Sequence, residues 1–540
     1  MTSLVIPAAK LVDISLQLEY GPIPPLLVPL RGKVALELIA EKYSDTVDRI
    51  YVVCMEGADQ VQDYVEFFKL TTIKLVVLKE SRSLGDTLNQ LAILHPEVLQ
   101  HRVVVNLADT LISDLDLELV GHDFVACGAT RETARWTLFN FDEDRNLVIS
   151  DKQHQDDPSL WSTFLGVWGF EDYSTFAGLL AESSSFYDAL KTYCDRRSPT
   201  YFEAKQWIDF GHLDNLNRNR RRSINSRYFN SLEFGHGGAT LRKESQRGGK
   251  LIDEINWFLA LPEELKPYTP RIYRFSVDPI KPWVEMEFYS YPSLDECFVY
   301  GRHDLDTWEQ IFEALLDVVA TQGKYKLEAP DLACDLEEMY LTKTTERLQE
   351  FLSSDPAIGK VSKPTINGVA CLGLETILER LPAWLKAAGT LDAAQFQIIH
   401  GDMCFGNILF EARHHLLKFI DARGRFGRHG IYGDSNYDLA KLCHSVVGHY
   451  DFFVFGQYQV GVNGTDFMLK TRANSQHEHI GRIYLKHLRR EGYNLTKVRA
   501  IEALLFLSML PLHSEDPQRQ LAFALRGIEL ASQSLEEAGV

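Results

Sequence analysis

The stretch "IIHGDMCFGNILF" occupies residues 398–410, and "FIDARGRFG" follows it at 419–427. Asp402 stands between two apolar runs, Asn407 comes five residues later, and Asp421 follows the apolar run "LLKFI". Carboxylate and amide oxygens are hard ligands that suit Mg²⁺, and a carboxylate can also accept a proton. The spacing therefore predicts a compact loop that binds a magnesium ion and moves a proton.

Transfer of a phosphoryl group from ATP needs these side chains. The reaction requires magnesium on the phosphate oxygens, a lysine on the phosphates, and a carboxylate that aligns and deprotonates the acceptor hydroxyl. We expect Asp402 to accept the hydroxyl proton, and we expect Asn407 and Asp421 to bind the same magnesium ion.

The His-Gly-Asp triplet at 400–402 resembles the aminoglycoside phosphotransferase and choline kinase family, which is related to protein kinases. The segment "IYGDSNYDLAKL" at 431–442 is similar to the one that this family carries after its metal aspartate. The resemblance covers residues 230–540 and implies a bilobal, kinase-like α+β fold. It also implies that Lys243 holds the ATP phosphates and that Glu254 is its ion-pair partner.

By the same resemblance, further residues would contact ATP through a glycine-rich turn and a hinge beside the adenine. These residues are Gly235, Gly237, Gly238, Glu287 and Phe288. Asp434 and Asp438 would brace the catalytic loop. Tyr289, Tyr291 and Trp308 either form a pocket for a cationic acceptor or pack the lobes.

The first half of the chain alternates short Val- and Ile-rich runs with segments of helical periodicity. This alternation predicts an α/β domain with a mainly parallel, three-layer sheet, whose ligands gather at the carboxyl ends of the strands. The predicted strands are "RIYVVC" (49–54), "IKLVVL" (73–78), "HRVVVNLAD" (101–109) and "DFVACG" (123–128), and the predicted helices cover 34–43, 61–69 and 84–94. A hairpin is predicted over 135–150.

Two aspartates in this half, Asp109 in "LADTLIS" and Asp209 in "QWIDFGHLDN", could hold a magnesium ion over a nucleotide. Both segments resemble the metal-binding motifs of sugar-phosphate nucleotidyltransferases. "SLGDTLNQLA" (83–92), which contains Gly85, resembles the helix start beside the base, and "PLLVPLRGKVALELI" (25–39), which contains Lys33, resembles the lysine-bearing loop. The resemblance implies a three-layer nucleotidyltransferase-like domain.

The sequence departs from that family at "IPAAKLVDISLQLEYG" (6–21), where a glycine-rich loop with an arginine would wrap the triphosphate. Either Lys10, Arg31 or Lys33 substitutes for the missing parts, or this domain binds without reacting.

Composition sets the remaining expectations. The net charge of −19 argues against nucleic acid as a partner, and neither a signal layout nor a membrane-length apolar run is present. Eight scattered cysteines favour a reducing compartment, so we expect a cytoplasmic protein, with a homo-oligomer left open. The basic run at 215–234 is predicted to connect two domains, 1–228 and 229–540, the latter with a small lobe over 229–300 and a helical lobe over 301–540.

The sequence thus favours a bifunctional enzyme. One domain would phosphorylate a sugar, polyol or amino alcohol with ATP, and the other would transfer a nucleotidyl group from a second nucleoside triphosphate onto that phosphate, for surface polysaccharide assembly. Mg²⁺ would serve both steps. In the alternative, the first domain is a non-catalytic module that binds a nucleotide or a partner. A kinase that modifies an antibiotic is a third hypothesis, although it would need no second domain.

Overall fold

The computed structural model describes residues 1–30, 32–143, 146–183, 185–223, 230–245, 248–392 and 395–540. The chain divides into two compact units, Met1–Ser223 and Ile224–Val540. The domain boundary predicted between residues 228 and 229 lies outside the described residues, as does Arg31.

The N-terminal unit contains strands and helices that alternate along the first part of the chain. Its strands are β1 (Thr2–Ala8), β2 (Pro29–Leu30), β3 (Lys33–Val34), β4 (Arg49–Cys54), β5 (Ile73–Val77), β6 (Arg102–Asn106), β7 (Thr110–Ile112), β8 (Phe124–Gly128), β9 (Thr137–Phe141), β10 (Leu147–Asp151), β11 (Ser162–Phe170), β12 (Thr200–Glu203) and β13 (Trp207–Asp209). Its α-helices are α1 (Ile14–Tyr20), α2 (Ala35–Tyr43), α3 (Ala58–Phe68), α4 (Leu84–Leu94), α5 (Tyr173–Glu182), α6 (Phe186–Arg197) and α7 (Leu213–Ser223).

The main sheet of this unit has a parallel centre and antiparallel additions. Its described strands run in the order β10-β9-β11-β6-β1-β4-β5, and β8 pairs with both β11 and β12. Strands β6, β1, β4 and β5 are parallel to one another, whereas β11 pairs antiparallel with β6. The predicted α/β fold with a mainly parallel sheet is confirmed for these central strands, and the predicted hairpin is β9–β10.

Helices cover both faces of this sheet. Leu88 and Leu91 of α4 pack in one apolar cluster with Val105 of β6. The next residue of β6, Asn106, points to the opposite face, where its Oδ1 accepts a hydrogen bond of 2.9 Å from Tyr43 of α2. Helix, sheet and helix therefore form three layers.

Two sequence predictions about this unit are wrong in detail. The first part of the basic run, predicted as a connection, is helix α7, and Leu216, Asn215 and Asn219 turn inward from it and are buried. Strand β6 ends at Asn106, so Asp109 lies in the turn before β7 instead of at a strand end.

The C-terminal unit begins with a four-stranded antiparallel sheet in the order β14-β15-β17-β16, followed by a mostly helical part. Its described strands are β14 (Asn230–Gly235), β15 (Thr240–Ser245), β16 (Ile272–Ser276), β17 (Trp283–Glu287), β18 (Lys326–Leu327), β19 (Thr365–Ile366), β20 (Val369–Ala370), β21 (Phe396–Ile398), β22 (Ile408–Glu411), β23 (Leu416–Phe419), β24 (Tyr432–Gly433), β25 (Tyr458–Asn463) and β26 (Asp466–Thr471). Strand β17 ends at Glu287, where the chain leaves the sheet.

The helices of this unit are α8 (Gly248–Ala260), α9 (Leu294–Val299), α10 (Leu305–Gln322), α11 (Leu332–Leu336), α12 (Lys343–Ser353), α13 (Leu374–Ala387), α14 (Ser435–Val446), α15 (Tyr450–Val454), α16 (Ser475–Arg490), α17 (Leu495–Met509) and α18 (Pro517–Glu537). A π-helical turn, Glu337–Thr342, joins α11 to α12. Across the described parts of both units, every helix is too short or too polar to span a lipid bilayer.

Candidate active sites

Lys243 lies at the centre of the small sheet of the C-terminal unit and joins three segments of the chain. On β15 it is paired with Leu232 of β14 and Val284 of β17. Its Nζ is 2.7 Å from Glu254 Oε2 on α8 and 2.5 Å from Asp421 Oδ1. Burial opposes the charge of the amine, but the two carboxylates outweigh burial and raise the pKa of Lys243. The lysine is therefore a fixed cation, which is what phosphate oxygens require.

Helix α8 is held against the segments that carry Ile399 and Gly424 by two close contacts. Trp257 of α8 donates a hydrogen bond of 2.7 Å to the carbonyl oxygen of Ile399. Gly424 has a positive φ of 73°, and a side chain there would overlap the carbonyl oxygen of Asp253. Only glycine allows this approach, which keeps Glu254 beside Lys243.

The loop that carries Asp402 is braced from below by Asp438. The backbone amides of His400 and Gly401 donate hydrogen bonds of 2.7 and 2.8 Å to the two carboxylate oxygens of Asp438 on α14. His400 also makes a hydrogen bond of 3.0 Å with the carbonyl oxygen of Ile420. Burial lowers the pKa of His400 to about 4, so the ring is neutral and supports the loop instead of ionising. The prediction that Asp438 braces this loop is confirmed.

Asp402 itself is placed by two neighbours. Lys441 Nζ of α14 lies 2.8 Å from Asp402 Oδ1, and the amide nitrogen of Asn407 donates to Asp402 Oδ2 over 3.1 Å. Burial alone would raise the pKa of Asp402, but the charge of Lys441 outweighs it and lowers that pKa to about 2. The carboxylate is thus ionised and oriented.

The oxygen ligands predicted for magnesium fit such an ion. The amide nitrogen of Asn407 is engaged by Asp402, which leaves the amide oxygen as its ligand atom. Asp421 presents a carboxylate from a left-handed backbone conformation, φ 56°, two residues after β23. Within the described ranges, no three His, Cys, Asp or Glu side chains converge as metal ligands. A magnesium ion here would therefore complete its coordination with nucleotide phosphates and water.

The residues predicted to contact ATP lie around the β14–β15 turn. Gly237 and Gly238 have φ of 66° and 89°, so the turn adopts a conformation that favours glycine. Glu287, at the end of β17, is paired with Thr240 at the start of β15. The amide of Phe288 donates to the carbonyl oxygen of Ala239 over 3.0 Å, which places this segment next to the turn. Their contacts with ATP stay predictions.

The N-terminal unit brings Asp109 and Asp209 together although they are far apart in sequence. Strands β7 and β13 are antiparallel, with Asp209 opposite Thr110, and the amide of Phe210 donates to the carbonyl oxygen of Asp109 over 2.7 Å. Burial first, and then the negative charge of Asp209, raise the pKa of Asp109 to about 6. A buried carboxylate whose charge is disfavoured by burial and by a neighbouring carboxylate forms a site that a cation would stabilise.

Three donors surround Asp209. The amide of Gly211, Nδ1 of His212 and Nδ2 of Asn215 lie 2.7, 2.7 and 2.8 Å from its carboxylate oxygens. The hydrogen bond from His212 to Asp209 also raises the pKa of His212. Gly211 leaves room for the second carboxylate, because a Cβ there would lie 2.7 Å from Asp109 Oδ2.

Other predicted nucleotide contacts in this unit have local partners. Lys33 forms an ion pair of 2.5 Å with Glu41 of α2, and Lys10 is exposed beyond the end of β1. A Cβ on Gly85 would lie 3.1 Å from Leu180 Cδ1, so this glycine also serves the packing of α4 on α5. Their roles toward a nucleotide stay predictions.

The sequence reasoning missed several site residues. His212 and Asn215 both lie within "QWIDFGHLDN", whose Asp209 was recognised, and Lys441 lies in "YDLAKL", three positions after Asp438. That helical spacing, which puts two side chains on one face, is a signal for Lys441. Trp136 lies with its ring 5.4 Å from those of Trp207 and His212, and no local pattern indicates that contact.

Three comparisons with known proteins were made. Neither a protein-family model nor a curated protein matches the chain. Among solved structures, a protein from Bacillus anthracis assigned as a glucose-1-phosphate thymidylyltransferase, in complex with a sucrose, aligns with 42% of this chain and 97% of its own at 16% identity and a TM-score of 0.36. HddC from Yersinia pseudotuberculosis, complexed with GMP-PN, covers 41% of this chain and 99% of its own, at 17% identity and a TM-score of 0.31.

The CTP:phosphocholine cytidylyltransferase LicC from Streptococcus pneumoniae covers 41% of this chain and 98% of its own, at 11% identity and a TM-score of 0.33. All three similarities concern the N-terminal part of the chain, and two of these neighbours are named as a thymidylyltransferase and a cytidylyltransferase.

Proposed function

We propose that the C-terminal unit transfers the γ-phosphoryl group of ATP to a hydroxyl of a small metabolite. The observation that carries this proposal is the pair of contacts from Lys243 to Glu254 and to Asp421, at 2.7 and 2.5 Å. They link a phosphate-binding cation to a magnesium-binding carboxylate, and the loop of Asp402 is linked to the same region through His400 and Ile420.

In this reaction the acceptor hydroxyl donates a hydrogen bond to Asp402, which orients its oxygen toward the γ-phosphorus. A new O–P bond forms, the bond from the γ-phosphorus to the β,γ-bridging oxygen breaks, and the hydroxyl proton passes to Asp402. Lys243 neutralises phosphate charge from its fixed position. When bound by Asn407 and Asp421, Mg²⁺ supplies charge neutralisation at the phosphate oxygens.

We further propose that the N-terminal unit transfers a nucleotidyl group onto the new phosphate. The closeness of Asp109 and Asp209 supports this step, because a shared Mg²⁺ would offset the burial and the negative charge of Asp209 that together raise the pKa of Asp109. The phosphate oxygen would attack the α-phosphorus of a nucleoside triphosphate, and pyrophosphate would leave. The product would be an activated alcohol of the kind used in surface polysaccharide assembly.

A second candidate function makes the N-terminal unit a binding module without chemistry. The specific observation in its favour is that Asp209 already accepts hydrogen bonds from Gly211, His212 and Asn215. A carboxylate with three protein donors gives up some of them to bind a metal ion, which weakens the site.

Mass spectrometry of a metabolite pool separates these functions. The full-length protein is incubated with Mg²⁺, ATP, the other nucleoside triphosphates, and sugars, polyols, hydroxy acids and amino alcohols. A phosphorylated compound that later gains a nucleoside monophosphate supports both activities. A phosphorylated compound that gains nothing further supports the binding module, and the absence of any phosphorylated compound refutes the phosphotransfer.

A further inference from the structure

A cluster of cationic side chains lies beside Asp402, and the proposed reaction leaves most of it unused. Lys343 lies within electrostatic range of Arg347, Arg423, Lys441 and Asp402. Of the four basic side chains, Lys343, Arg347, Arg423 and Lys441, only Lys441 is paired with Asp402. The cluster therefore holds more basic groups than carboxylates at the place where the acceptor hydroxyl must lie.

Lys343 has no partner of its own. It is partly buried, and among the described residues its amine forms neither a hydrogen bond nor an ion pair. Burial, and then the charges of Arg423 and Arg347, lower its pKa to about 6. An amine with this pKa is mostly uncharged at neutral pH, and a bound anion would favour its charged form.

The two arginines are held by groups that do not cancel their charge. Arg347 donates to the carbonyl oxygen of Ser508 over 2.8 Å. Arg423 donates to the hydroxyl of Tyr437 over 3.2 Å. It also lies close to the loop of Asp402, because a Cβ added to Gly401 would be 3.0 Å from the Cβ of Arg423. The carboxylate within electrostatic range of Arg347 is Glu350, which is exposed on the same helix.

The backbone at this place is also unusual. The π-helical turn Glu337–Thr342 directly precedes Lys343 and alters which face of the helix the following residues present. Two of its side chains contact the catalytic region: Tyr340 donates to Asp434 over 3.0 Å, and Met339 Sδ lies 3.9 Å from a nitrogen of Arg423. Turns of this kind occur frequently at functional sites.

The residues that could have formed a pocket for a cationic acceptor have other contacts. Trp308 is 1% exposed and stacks on Phe405 in the core. Of the two roles predicted for Trp308 from the sequence, packing of the lobe is therefore the correct one. The ring of Tyr289 stacks with that of Tyr291 and carries Lys418 Nζ 4.9 Å from its centre. The carboxylates Asp295 and Asp451 are buried beneath the loop.

Building on the proposed phosphotransfer, we propose that the acceptor alcohol carries an anionic group, a carboxylate or a phosphate, and that Lys343, Arg347 and Arg423 bind it. The anion sits beside Asp402 and turns the hydroxyl of the same molecule toward that carboxylate. Charge-assisted hydrogen bonds from two guanidinium groups and an amine suit both anions.

Chemical footprinting of lysines tests this site without requiring activity. The full-length protein, with Mg²⁺ and a saturating non-hydrolysable ATP analogue, is acetylated with acetic anhydride at neutral pH, and each lysine is followed by mass spectrometry. Inorganic phosphate at ten times its dissociation constant should slow acetylation of Lys343 about tenfold by mass action. Glycerol should not, and the rate at exposed Lys360 should stay unchanged. Equal rates at Lys343 with and without phosphate, or protection that the ATP analogue abolishes, would overturn the proposal.

Steady-state kinetics then identifies the anion. Hydroxy acids, sugar phosphates, neutral polyols and amino alcohols are compared as acceptors for the wild type, Lys343→Met, Arg347→Met and the control Lys360→Met. The first two variants should raise KM for an anionic acceptor about tenfold or more, as expected for the loss of a charge-assisted hydrogen bond, with KM for ATP unchanged. Turnover of hydroxy acids points to a carboxylate, and turnover of sugar phosphates to a phosphate.

Preference for neutral polyols or amino alcohols, with KM unaffected in both variants, would contradict an anionic acceptor. If no alcohol of any class is phosphorylated, the proposed function fails, and the footprint of Lys343 alone decides the anion site.

Discussion

Lys441 Nζ lies 2.8 Å from Asp402 Oδ1, and this ion pair defines the charge state of the carboxylate that we propose as the proton acceptor. With a pKa lowered to about 2, Asp402 is a weak base that stays ionised at any physiological pH. A loose phosphoryl-transfer transition state needs little proton abstraction early in the reaction, so such a carboxylate first orients the hydroxyl and accepts its proton late in the reaction. The ion pair with Lys441 thus lowers the basicity of Asp402 and fixes the orientation of its carboxylate.

Replacing the carboxylate removes the acceptor for the hydroxyl proton but leaves the magnesium ligands in place. We expect Asp402→Asn to lower kcat for phosphoryl transfer by about a thousandfold, the middle of the range for a general base, with an unchanged Kd for the magnesium complex of ATP. Kinetics and calorimetric titration measure the two quantities. Asp466→Asn, on the exposed edge of β26, is the matched control. Full activity of Asp402→Asn would exclude this loop as the catalytic one.

Replacing Lys243 of the small sheet should weaken the binding of ATP and leave the binding of the acceptor unchanged. Lys243→Met removes the cation that Glu254 and Asp421 hold in place, so KM for ATP should rise about tenfold or more while KM for the acceptor changes little. Lys250→Met changes an exposed lysine of helix α8 and serves as the control. A rise in KM for the acceptor alone would place Lys243 outside the nucleotide site.

A single methyl group should separate the two proposed activities. In Gly211→Ala, the new Cβ would lie 2.7 Å from Asp109 Oδ2 and displace that carboxylate from Asp209. We expect nucleotidyl transfer to fall about a hundredfold, comparable to losing a metal-orienting contact, while phosphoryl transfer continues at the wild-type rate. Gly178→Ala meets nothing within 4 Å and is the control. Unchanged nucleotidyl transfer would contradict a catalytic role for this acidic pair.

Acid should destabilise the C-terminal unit through its buried histidines. Burial lowers the pKa of His477 to about 3, whereas an unfolded histidine has a pKa of about 6.5. Between these values the unfolded state binds more protons, so stability is lost as the pH falls below about 6.5. His477 alone should contribute a loss of about 2 kcal/mol between pH 7 and pH 5.

Urea unfolding at both pH values checks this contribution. In His477→Gln the loss of stability between pH 7 and pH 5 should shrink by that amount, whereas the exposed His479→Gln on the same helix should retain it. An equal pH dependence in the two variants would show that His477 is not neutral in the folded protein.

The sequence predicts those parts of the fold that local patterns determine. Strand β4 and helix α4 have the predicted bounds, because a run of β-branched residues or a helical period is contained within one segment. Helix α7 was missed because its arginines dominate the composition, although Leu216 and two asparagines mark an inward face.

The candidate site of the C-terminal unit was likewise predictable only where its residues lie close together in sequence. Asp402, Asn407 and Asp421 lie close in sequence and could be recognised from their spacing. The cluster around Lys343 could not, because α12, the segment after β23 and α14 come together only in the folded chain, and "LTKTTERLQEF" resembles an ordinary surface helix. Contacts between distant segments have no signature in a single sequence.

Transfer of label from ATP tests the central claim most directly. The wild type, Asp402→Asn and Asp209→Asn are incubated with a pool of small alcohols, Mg²⁺ and ATP labelled at the γ-phosphorus, and the labelled products are separated by chromatography. The account predicts a labelled small molecule with the wild type and with Asp209→Asn, and none with Asp402→Asn. Label transfer by Asp402→Asn at the wild-type rate, or no transfer by any of the three proteins, would contradict it.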